Sequence, residues 1–337
     1  MGTVVQLKRQ INNSYFDLKK SVDEKLVLVE EKIKTKLNSD VGLVQKMTNY
    51  HIQTGGKRLR ALLTLGSAKL CSYLKGGRDI NLAACVELIH TATLMHDDVI
   101  DVSSVRRGKK TINSIWGNQS SILVGDYLLS RCFEMMVEDG NLEVLKLLSS
   151  TSSKIAQGEI LQLQHKGEID MLEETYLKII STKTAVLFSA STKVGAILAN
   201  KKNNEKDALE FYGKNLGLTF QIADDILDYN SELKLFGKKI GNDFYEGKIT
   251  LPVILLFQQI NNIEKQSLKD IFKKNKRSEN DLKFTLDLIL KYKIINQCYK
   301  KAEHFISLAS GSLSIFPDSE EKKVLENLTT FSLERSF

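Results

Sequence analysis

The amino-acid sequence predicts an all-α fold. Apolar residues recur at helical spacing along most of the 337 residues, and the alternating Val/Ile runs typical of strands are sparse. Proline, which breaks helix interiors, occurs only as Pro252 and Pro317. A hydrophobic share of 42% and a charged share of 26% are ordinary for a globular protein. Because no linker or low-complexity tract divides the chain, we predict a single domain over residues 1–337.

The predicted helices follow one another with short connections. Periodic apolar residues indicate helices over 25–36, 59–73, 80–102, 119–137, 141–164, 174–198, 208–229 and 281–335. Two loops rich in basic residues interrupt this series, at 103–110 and 234–248. The second loop precedes Thr250, Leu251 and Pro252, a sequence typical of a helix start because proline is tolerated in the first turn.

The charge balance is basic, with a formal net charge of +7. Such a balance is typical of proteins that meet nucleic acid, an anionic membrane surface or anionic small substrates. The basic residues are spread along the chain, without an aromatic-interleaved patch or a recognised nucleic-acid motif. We therefore expect no nucleic-acid partner and interpret most of the lysine excess as solvated surface.

Cysteine usage and apolar runs indicate the cellular compartment. No C-x-x-C spacing occurs, so buried free thiols are expected at Cys71, Cys85, Cys132 and Cys298. Residues 1–20 contain no apolar signal core. The most apolar stretch, 81–95, contains Glu87 and His90, so no transmembrane segment is expected. These observations predict a cytoplasmic protein.

An Asp-Asp-x-x-Asp motif occurs twice, at 97–101 and 224–228, each time at the end of an apolar, helix-compatible stretch. Carboxylates four residues apart share a helix face and repel each other, so a hard divalent cation such as Mg²⁺ is expected to bind there. One such motif alone would be better interpreted as a solvated helix end, and no EF-hand spacing supports a calcium loop. Two copies favour a paired metal site formed by Asp97, Asp98, Asp101, Asp224, Asp225 and Asp228.

Basic residues lie near both acidic motifs. The sequence 55–60 (Gly-Gly-Lys-Arg-Leu-Arg) begins an apolar helix, whose free amides and arginines could bind an anion. It is not a P-loop, because His51 stands where that motif needs glycine. Each basic residue alone would usually be solvated, but their placement beside metal motifs favours phosphate binding. Lys183 and Thr184 interrupt the helical stretch 174–198 and offer a further phosphate contact. Candidate phosphate ligands are Lys57, Arg60, His90, Arg106, Arg107, Lys183, Thr184, Lys238 and Lys248.

In combination these motifs resemble those of the trans-isoprenyl (polyprenyl) diphosphate synthases, and most closely the long-chain bacterial branch with octaprenyl diphosphate synthase. The resemblance spans about residues 25–330. Its motifs are 55–60, the first acidic motif with 106–108, Lys183-Thr184, Phe220-Gln221 with the second acidic motif, 237–243 and 246–248. It implies an antiparallel helical bundle around a deep central cavity (the isoprenoid synthase fold), and a homodimer. Ala61 departs from the family, since many relatives carry proline at that position.

The family resemblance also implies a role for each matching residue. The acidic motifs would bind Mg²⁺ that bridges the allylic diphosphate, with Asp225 acting indirectly. The allylic diphosphate would be held by Arg106, Lys183, Thr184, Gln221, Lys238 and Lys248. Isopentenyl diphosphate would be held by Lys57, Arg60, His90 and Arg107. The residues expected to be catalytic are Asp97, Asp98, Asp101, Lys183, Asp224 and Lys238.

The implied reaction is successive condensation of isopentenyl diphosphate onto an allylic diphosphate such as farnesyl diphosphate. The expected product is a long all-trans chain, octaprenyl, for a quinone side chain, delivered through a transient membrane contact. In the family, bulky aromatic residues four or five positions before the first motif stop the chain early; Ala92 and Thr93 stand there. Phe133, Met135 and Met136 either line the deeper tunnel or pack in the core.

Three alternatives stay open. A shorter-chain farnesyl or geranylgeranyl synthase would share the motifs. A class I terpene cyclase shares the metal-dependent ionisation but normally lacks the isopentenyl clamp of Lys57, Arg60 and Arg107. A noncatalytic subunit of a two-subunit prenyl synthase tends to lose one acidic motif, and both are whole here.

Overall fold

The computed structural model describes residues 14–230 and 240–334. Within them the helices, in chain order, are α1 (14–21), α2 (Asp23–Lys36), α3 (Gly42–Gln53), α4 (Leu59–Leu70), α5 (Arg78–Ile100), α6 (Ile112–Trp116), α7 (Asn118–Asp139), α8 (Leu142–Gln164), α9 (Glu173–Ile180), α10 (Val186–Leu198), α11 (Asn203–Tyr229), α12 (Asn242–Glu246), α13 (Leu251–Gln259), α14 (Asn262–Lys273), α15 (Glu279–Lys291), α16 (Ile294–Ser312) and α17 (Glu320–Glu334). A π-helical segment, Ser181–Ala185, joins α9 to α10, and a 3₁₀ turn, Leu313–Ile315, follows α16. Strands β1 (Val105–Arg106) and β2 (Lys109–Lys110) pair antiparallel, with Val105 opposite Lys110.

The predicted all-α class is confirmed, with local differences from the sequence pattern. The loop at 103–110 contains the two-stranded hairpin, whose strands are too short to show a period. Helix α11 begins five residues before the predicted start, because the Glu205 carboxylate accepts the Lys202 amide (3.2 Å) and caps a polar first turn. Helices α3 and α14 were not predicted. The predicted start of α13 is confirmed, with Pro252 in its first turn.

The long central helices run antiparallel to their neighbours. Arg78, the first residue of α5, forms an ion pair with Asp139, the last residue of α7, at 2.8 Å. At the same end of the bundle, Glu143 in the first turn of α8 pairs with Lys206 in the first turn of α11 at 2.7 Å. Both α5 and α11 therefore start at this end, and both carry their acidic motifs to the opposite end.

Two clusters of buried apolar residues hold the bundle together. The first core cluster joins α2, α4, α5, α7, α8 and α10, and includes Val29, Leu62, Leu88, Leu128, Leu148 and Val194. The second core cluster joins α9 with α13 to α16, and includes Tyr176, Leu256, Leu268, Ile289 and Cys298. Helix α11 belongs to both, with Leu209 and Tyr212 in the first and Ile222 and Ile226 in the second.

No helix among the described residues is long and apolar enough to cross a bilayer. The single domain over residues 1–337, with its motif-bearing core at about 25–330, stays a prediction.

The cysteines are free and buried, as predicted. Burial raises the pKa of the Cys71 thiol to about 12, so little reactive thiolate forms near neutral pH. We expect a thiol reagent such as 5,5′-dithiobis(2-nitrobenzoic acid) to modify the folded protein slowly, and to titrate all four thiols once guanidinium unfolds it. Fast stoichiometric labelling of the folded protein would contradict this burial.

Candidate active site

The two acidic motifs face one cavity of about 610 Å³. Asp97 reaches it from the end of α5 and Asp224 from the end of α11. Most of the predicted phosphate ligands line the same cavity, namely Lys57, Arg60, His90, Arg106, Arg107, Lys183, Thr184 and Gln221. A neighbouring cavity of about 90 Å³ shares Lys183, Thr184 and Gln221, and adds Asp225 and Lys248. Most of the described residues that the sequence predicts to form the site thus line these two cavities, whereas Asp98, Asp101, Asp228 and Ala92 line neither.

The carboxylates of the first motif have three different surroundings. Burial raises the pKa of Asp97 to about 6, and nearby Glu159 and Asp101 add to the rise while Lys183 opposes it. Asp98 is buried and accepts a hydrogen bond from Arg106 Nε at 2.8 Å. Asp101 accepts one from Lys248 Nζ at 2.9 Å. Of the three carboxylates in this motif, the one that lines the large cavity is Asp97.

The second motif is arranged in a similar way. Asp224 lines the cavity, whereas Asp225 is buried and accepts hydrogen bonds from Tyr176 OH (2.6 Å) and Gln221 Nε2 (2.8 Å). Burial raises the pKa of Asp225 to about 7, against the effect of these two donors. Asp228 accepts the amides of Asn242 and Asp243 at 3.0 and 2.9 Å. Asp225 thus contacts Gln221 and Tyr176, and its indirect role in metal binding stays a prediction.

The hairpin after the first motif connects it to the Gly-Gly loop at 55–56. Arg106 lies in β1, and Arg107 occupies the turn with a positive φ of 54°. The Arg107 guanidinium donates to the carbonyl of Gly55, and Lys109 Nζ donates to that of Gln53 at 3.0 Å. The hairpin therefore directs one arginine to the acidic motif and the next one to the Gly-Gly loop.

A buried carboxylate, Glu87, organises the start of α4. It accepts the backbone amide of Ala61 at 3.1 Å and lies 3.5 Å from the guanidinium of Arg58. Proline, which the resemblance expects at 61, has no amide hydrogen to donate. This one amide of the first turn already has an acceptor, and anion binding by the helix start stays a prediction. Among the side chains of the loop, Arg60 stacks over the Phe188 ring at 4.5 Å.

Lys183 and Thr184 lie in the π-helical segment, which confirms the predicted interruption of the helix. Lys183 Nζ donates to Gln162 Oε1 at 2.7 Å and pairs with Glu159, and both partners are on α8. Thr184 Oγ1 donates to Gln221 Oε1 at 2.9 Å. At Gly158 a Cβ atom would lie 2.6 Å from the backbone nitrogen of Lys183, so only glycine allows this approach.

Several site residues are absent from the sequence prediction. Glu159 and Gln162 lie on the amphipathic helix α8 and Glu87 lies in the apolar helix α5, so their only signal is a polar residue among largely apolar neighbours. His51 lines the cavity, and its pKa is lowered to about 4 by burial and by Arg58, Arg107 and Arg106. Burial and nearby Arg60 likewise lower the pKa of His90. Near neutral pH both imidazoles are therefore uncharged before an anion binds.

The predicted chain-length residues separate. Thr93 lines the cavity, whereas Ala92 is buried in the first core cluster. Met135 and Met136 are also in that cluster, which matches the core-packing alternative, and Phe133 is exposed. Lys238 and the sequence 237–239 lie outside the described residues.

The donor chemistry of the site fits a hard cation. In the described residues no three carboxylate, imidazole or thiolate groups converge as a complete metal site. Asp97 and Asp224 nevertheless present carboxylate oxygens to the cavity that also contains the basic residues. Mg²⁺ is usually bound by one or two protein carboxylates, with water and substrate phosphates completing its shell. The carboxylates of Asp97 and Asp224, beside the predicted phosphate ligands, fit that requirement.

Comparison with known proteins identifies the architecture. Residues 41–289 match the family described as Polyprenyl synthetase. Octaprenyl diphosphate synthase of Escherichia coli is 36% identical over 307 residues, covering 91% of this chain and 94% of that protein. All-trans-nonaprenyl-diphosphate synthase (geranyl-diphosphate specific) of Rhodobacter capsulatus is 36% identical over 319 residues, covering 95% of this chain and 97% of that protein.

A solved structure extends the similarity to three dimensions. The polyprenyl synthase of Caulobacter crescentus, complexed with calcium and isoprenyl diphosphate, superposes with a TM-score of 0.91 and 37% identity. The match covers 95% of this chain and 98% of that one. The chain therefore belongs to the polyprenyl synthetase family, and its helical bundle around a central cavity is the isoprenoid synthase fold.

Proposed function

We propose that this protein is a prenyltransferase that condenses isopentenyl diphosphate successively onto an allylic diphosphate, forming a long-chain all-trans polyprenyl diphosphate. The observation that carries the proposal is the shared cavity, which is lined by Asp97 of α5, by Asp224 of α11 and by the basic residues. Carboxylates for a metal and cations for phosphates occur at one place, as transfer between two diphosphate substrates requires.

We assign the two substrates to different parts of this cavity. Arg106, Lys183 and Gln221 lie with the acidic motifs and are proposed to hold the allylic diphosphate. Lys57, Arg60 and Arg107 lie around the Gly-Gly loop and are proposed to hold isopentenyl diphosphate. The hairpin joins these positions, because its consecutive arginines serve one substrate each.

Charge development explains what these residues do. When the allylic C–O bond breaks, negative charge collects on the departing diphosphate, and the Lys183 and Arg106 cations stabilise it. Mg²⁺ held by the acidic motifs would supply further positive charge to the same oxygens. The alkene of isopentenyl diphosphate attacks the allylic cation and forms the new C–C bond. A proton then leaves to the released diphosphate and restores the double bond.

The product is proposed to be octaprenyl diphosphate, destined for a quinone side chain. Thr93 and the small buried Ala92 present no aromatic barrier before Asp97, which supports a chain longer than farnesyl. The named relatives make octaprenyl and nonaprenyl products, so the number of isoprene units is the finer part of the proposal. A homodimer, a cytoplasmic location and a transient membrane contact for product release belong to the same proposal.

One assay tests the function directly. We expect the purified chain, incubated with Mg²⁺, farnesyl diphosphate and labelled isopentenyl diphosphate, to form labelled polyprenyl diphosphate without a second protein. Chromatography of the dephosphorylated product gives its length. A labelled product that stops at 20 carbons, or at 15 carbons when geranyl diphosphate is the primer, would favour the shorter-chain alternative, and cyclised hydrocarbon would favour the terpene cyclase. Activity that appears only with a partner protein would identify a noncatalytic subunit.

A further inference from the structure

The two ends of the described chain meet at the Gly-Gly loop. Tyr15, in α1, donates its hydroxyl to the backbone carbonyl of Lys57 at 2.9 Å. Its ring is stacked on Phe331 of α17, with the centroids 5.7 Å apart and the planes inclined by 21°. The Lys57 ammonium lies 5.4 Å from the centroid of the same Phe331 ring. Tyr15 thus holds the backbone of Lys57, while Phe331 faces its charged group.

This aromatic pair is anchored independently of the loop. Helices α1 and α17 both pack on α4, where a Cβ atom at Gly66 would lie 2.7 Å from Leu18 and 3.5 Å from Leu325. The backbone of α17 is also tied to α11, because Tyr212 OH donates to the carbonyl of Leu325 at 2.7 Å. Phe331 itself is buried in the first core cluster. The ring beneath the Lys57 ammonium is therefore held by the core of the bundle.

Lys57 lies on a segment of irregular backbone. It follows Gly55, whose φ is +67°, and Gly56, and it precedes Arg58 in the left-handed region, so its backbone is outside any helix. Arg58 is held by Glu87, and Arg60 stacks on Phe188. A lysine has a flexible four-carbon stem that loses rotamer freedom when it binds an anion. An aromatic face attracts the ammonium and restricts it in advance.

We propose that Tyr15 and Phe331 are positioning residues for Lys57, holding its backbone and ammonium in the orientation that binds isopentenyl diphosphate. The inference rests on the proposed function, which places Lys57 in that subsite. Tyr15 and Phe331 act through Lys57 and need no contact with the substrate. Their removal should therefore weaken binding of isopentenyl diphosphate and leave the allylic diphosphate site intact.

Steady-state kinetics of two variants test the proposal. Tyr15→Phe removes the hydroxyl but keeps the ring stack, and Phe331→Leu keeps an apolar side chain but removes the aromatic face. Each should raise the KM for isopentenyl diphosphate roughly threefold to tenfold, with the KM for farnesyl diphosphate and kcat little changed. Titration calorimetry with isopentenyl diphosphate alone should show a similar loss of affinity, and Phe331→Tyr should restore it.

Tyr127→Phe is the matched control, because it removes a tyrosine hydroxyl that donates to a backbone carbonyl, that of Asn38 at 3.3 Å, and involves neither α17 nor the Gly-Gly loop. We expect it to lower the melting temperature without changing the KM for isopentenyl diphosphate. The proposal is overturned if Tyr15→Phe and Phe331→Leu lower only the melting temperature, or raise both KM values alike. A wild-type chain that binds isopentenyl diphosphate but forms no polyprenyl product would reject the proposed function and leave the calorimetric comparison to decide this inference.

Discussion

Replacing Asp97 by asparagine should lower kcat by about 10²–10³-fold, the size of loss seen when one charge-stabilising group is removed from a reacting centre. Asparagine keeps the shape of the side chain and removes the charge that would hold the metal. Because the carboxylate lines the shared cavity of about 610 Å³, its loss changes the site directly. The same result is expected for Asp224→Asn.

The fold should survive this change. Burial raises the pKa of Asp97 to about 6, from about 4 in the unfolded chain. Ionising this buried carboxylate therefore lowers the free energy of unfolding as the pH rises from about 4 to about 6, and the loss is constant at higher pH. At pH 7.5 in a chelator, Asp97→Asn should melt at or above the wild-type temperature. Asp126→Asn, on the exposed surface of α7, is the control with unchanged kcat. Near-normal turnover of Asp97→Asn would refute the assigned role.

Gly158→Ala should reduce kcat/KM by about 10²-fold, because an added methyl group displaces Lys183 through its backbone, and a misplacement of about 1 Å can cost that much. The new Cβ would lie 2.6 Å from the Lys183 nitrogen and 2.7 Å from Thr182 Oγ1. The helix α8 and the π-helical segment must separate to relieve this overlap. Overpacking of this kind costs about 1–3 kcal/mol of unfolding free energy.

Gly311→Ala provides the comparison, since a Cβ atom at Gly311 in α16 would meet nothing within 4 Å. Activity should be unchanged, and the free energy of unfolding in urea should be equal or up to ~1 kcal/mol higher, because alanine favours a helix over glycine. If Gly158→Ala retained full kcat/KM, the close approach would have no part in placing Lys183.

The sequence predicts this site well where the signal is local. Acidic residues at the ends of apolar helices, and the interrupted helix at Lys183, are visible in consecutive residues, and the structure places them around one cavity. Which carboxylate faces the cavity is not local. Asp101 is held by Lys248 and Asp225 by Tyr176, and such partners, distant in the chain, have no fixed spacing.

The site residues that the sequence did not predict were missed for the same reason, because their partners are distant in the chain. Glu159 is one polar residue on an amphipathic helix until folding brings Lys183 to it. In the sequence, Glu87 interrupts an apolar run three residues before His90. In the structure, its carboxylate accepts the Ala61 amide in the first turn of α4. The hairpin at Arg106 was not predicted, because two-residue strands are too short to show a period in the sequence. It contacts the distant Gly-Gly loop through Arg107.

The π-helical segment connects the two core clusters. It joins α9, which packs in the second core cluster, to α10, which packs in the first, and Lys183 lies at the joint. Helix α11 makes the same crossing before it reaches Asp224. Lys183 and Asp224, the residues proposed for catalysis and for metal binding, thus lie where the two clusters join, so the proposed site draws on elements of both clusters. We expect a rigid-body shift of one cluster against the other to change catalysis while each core stays packed.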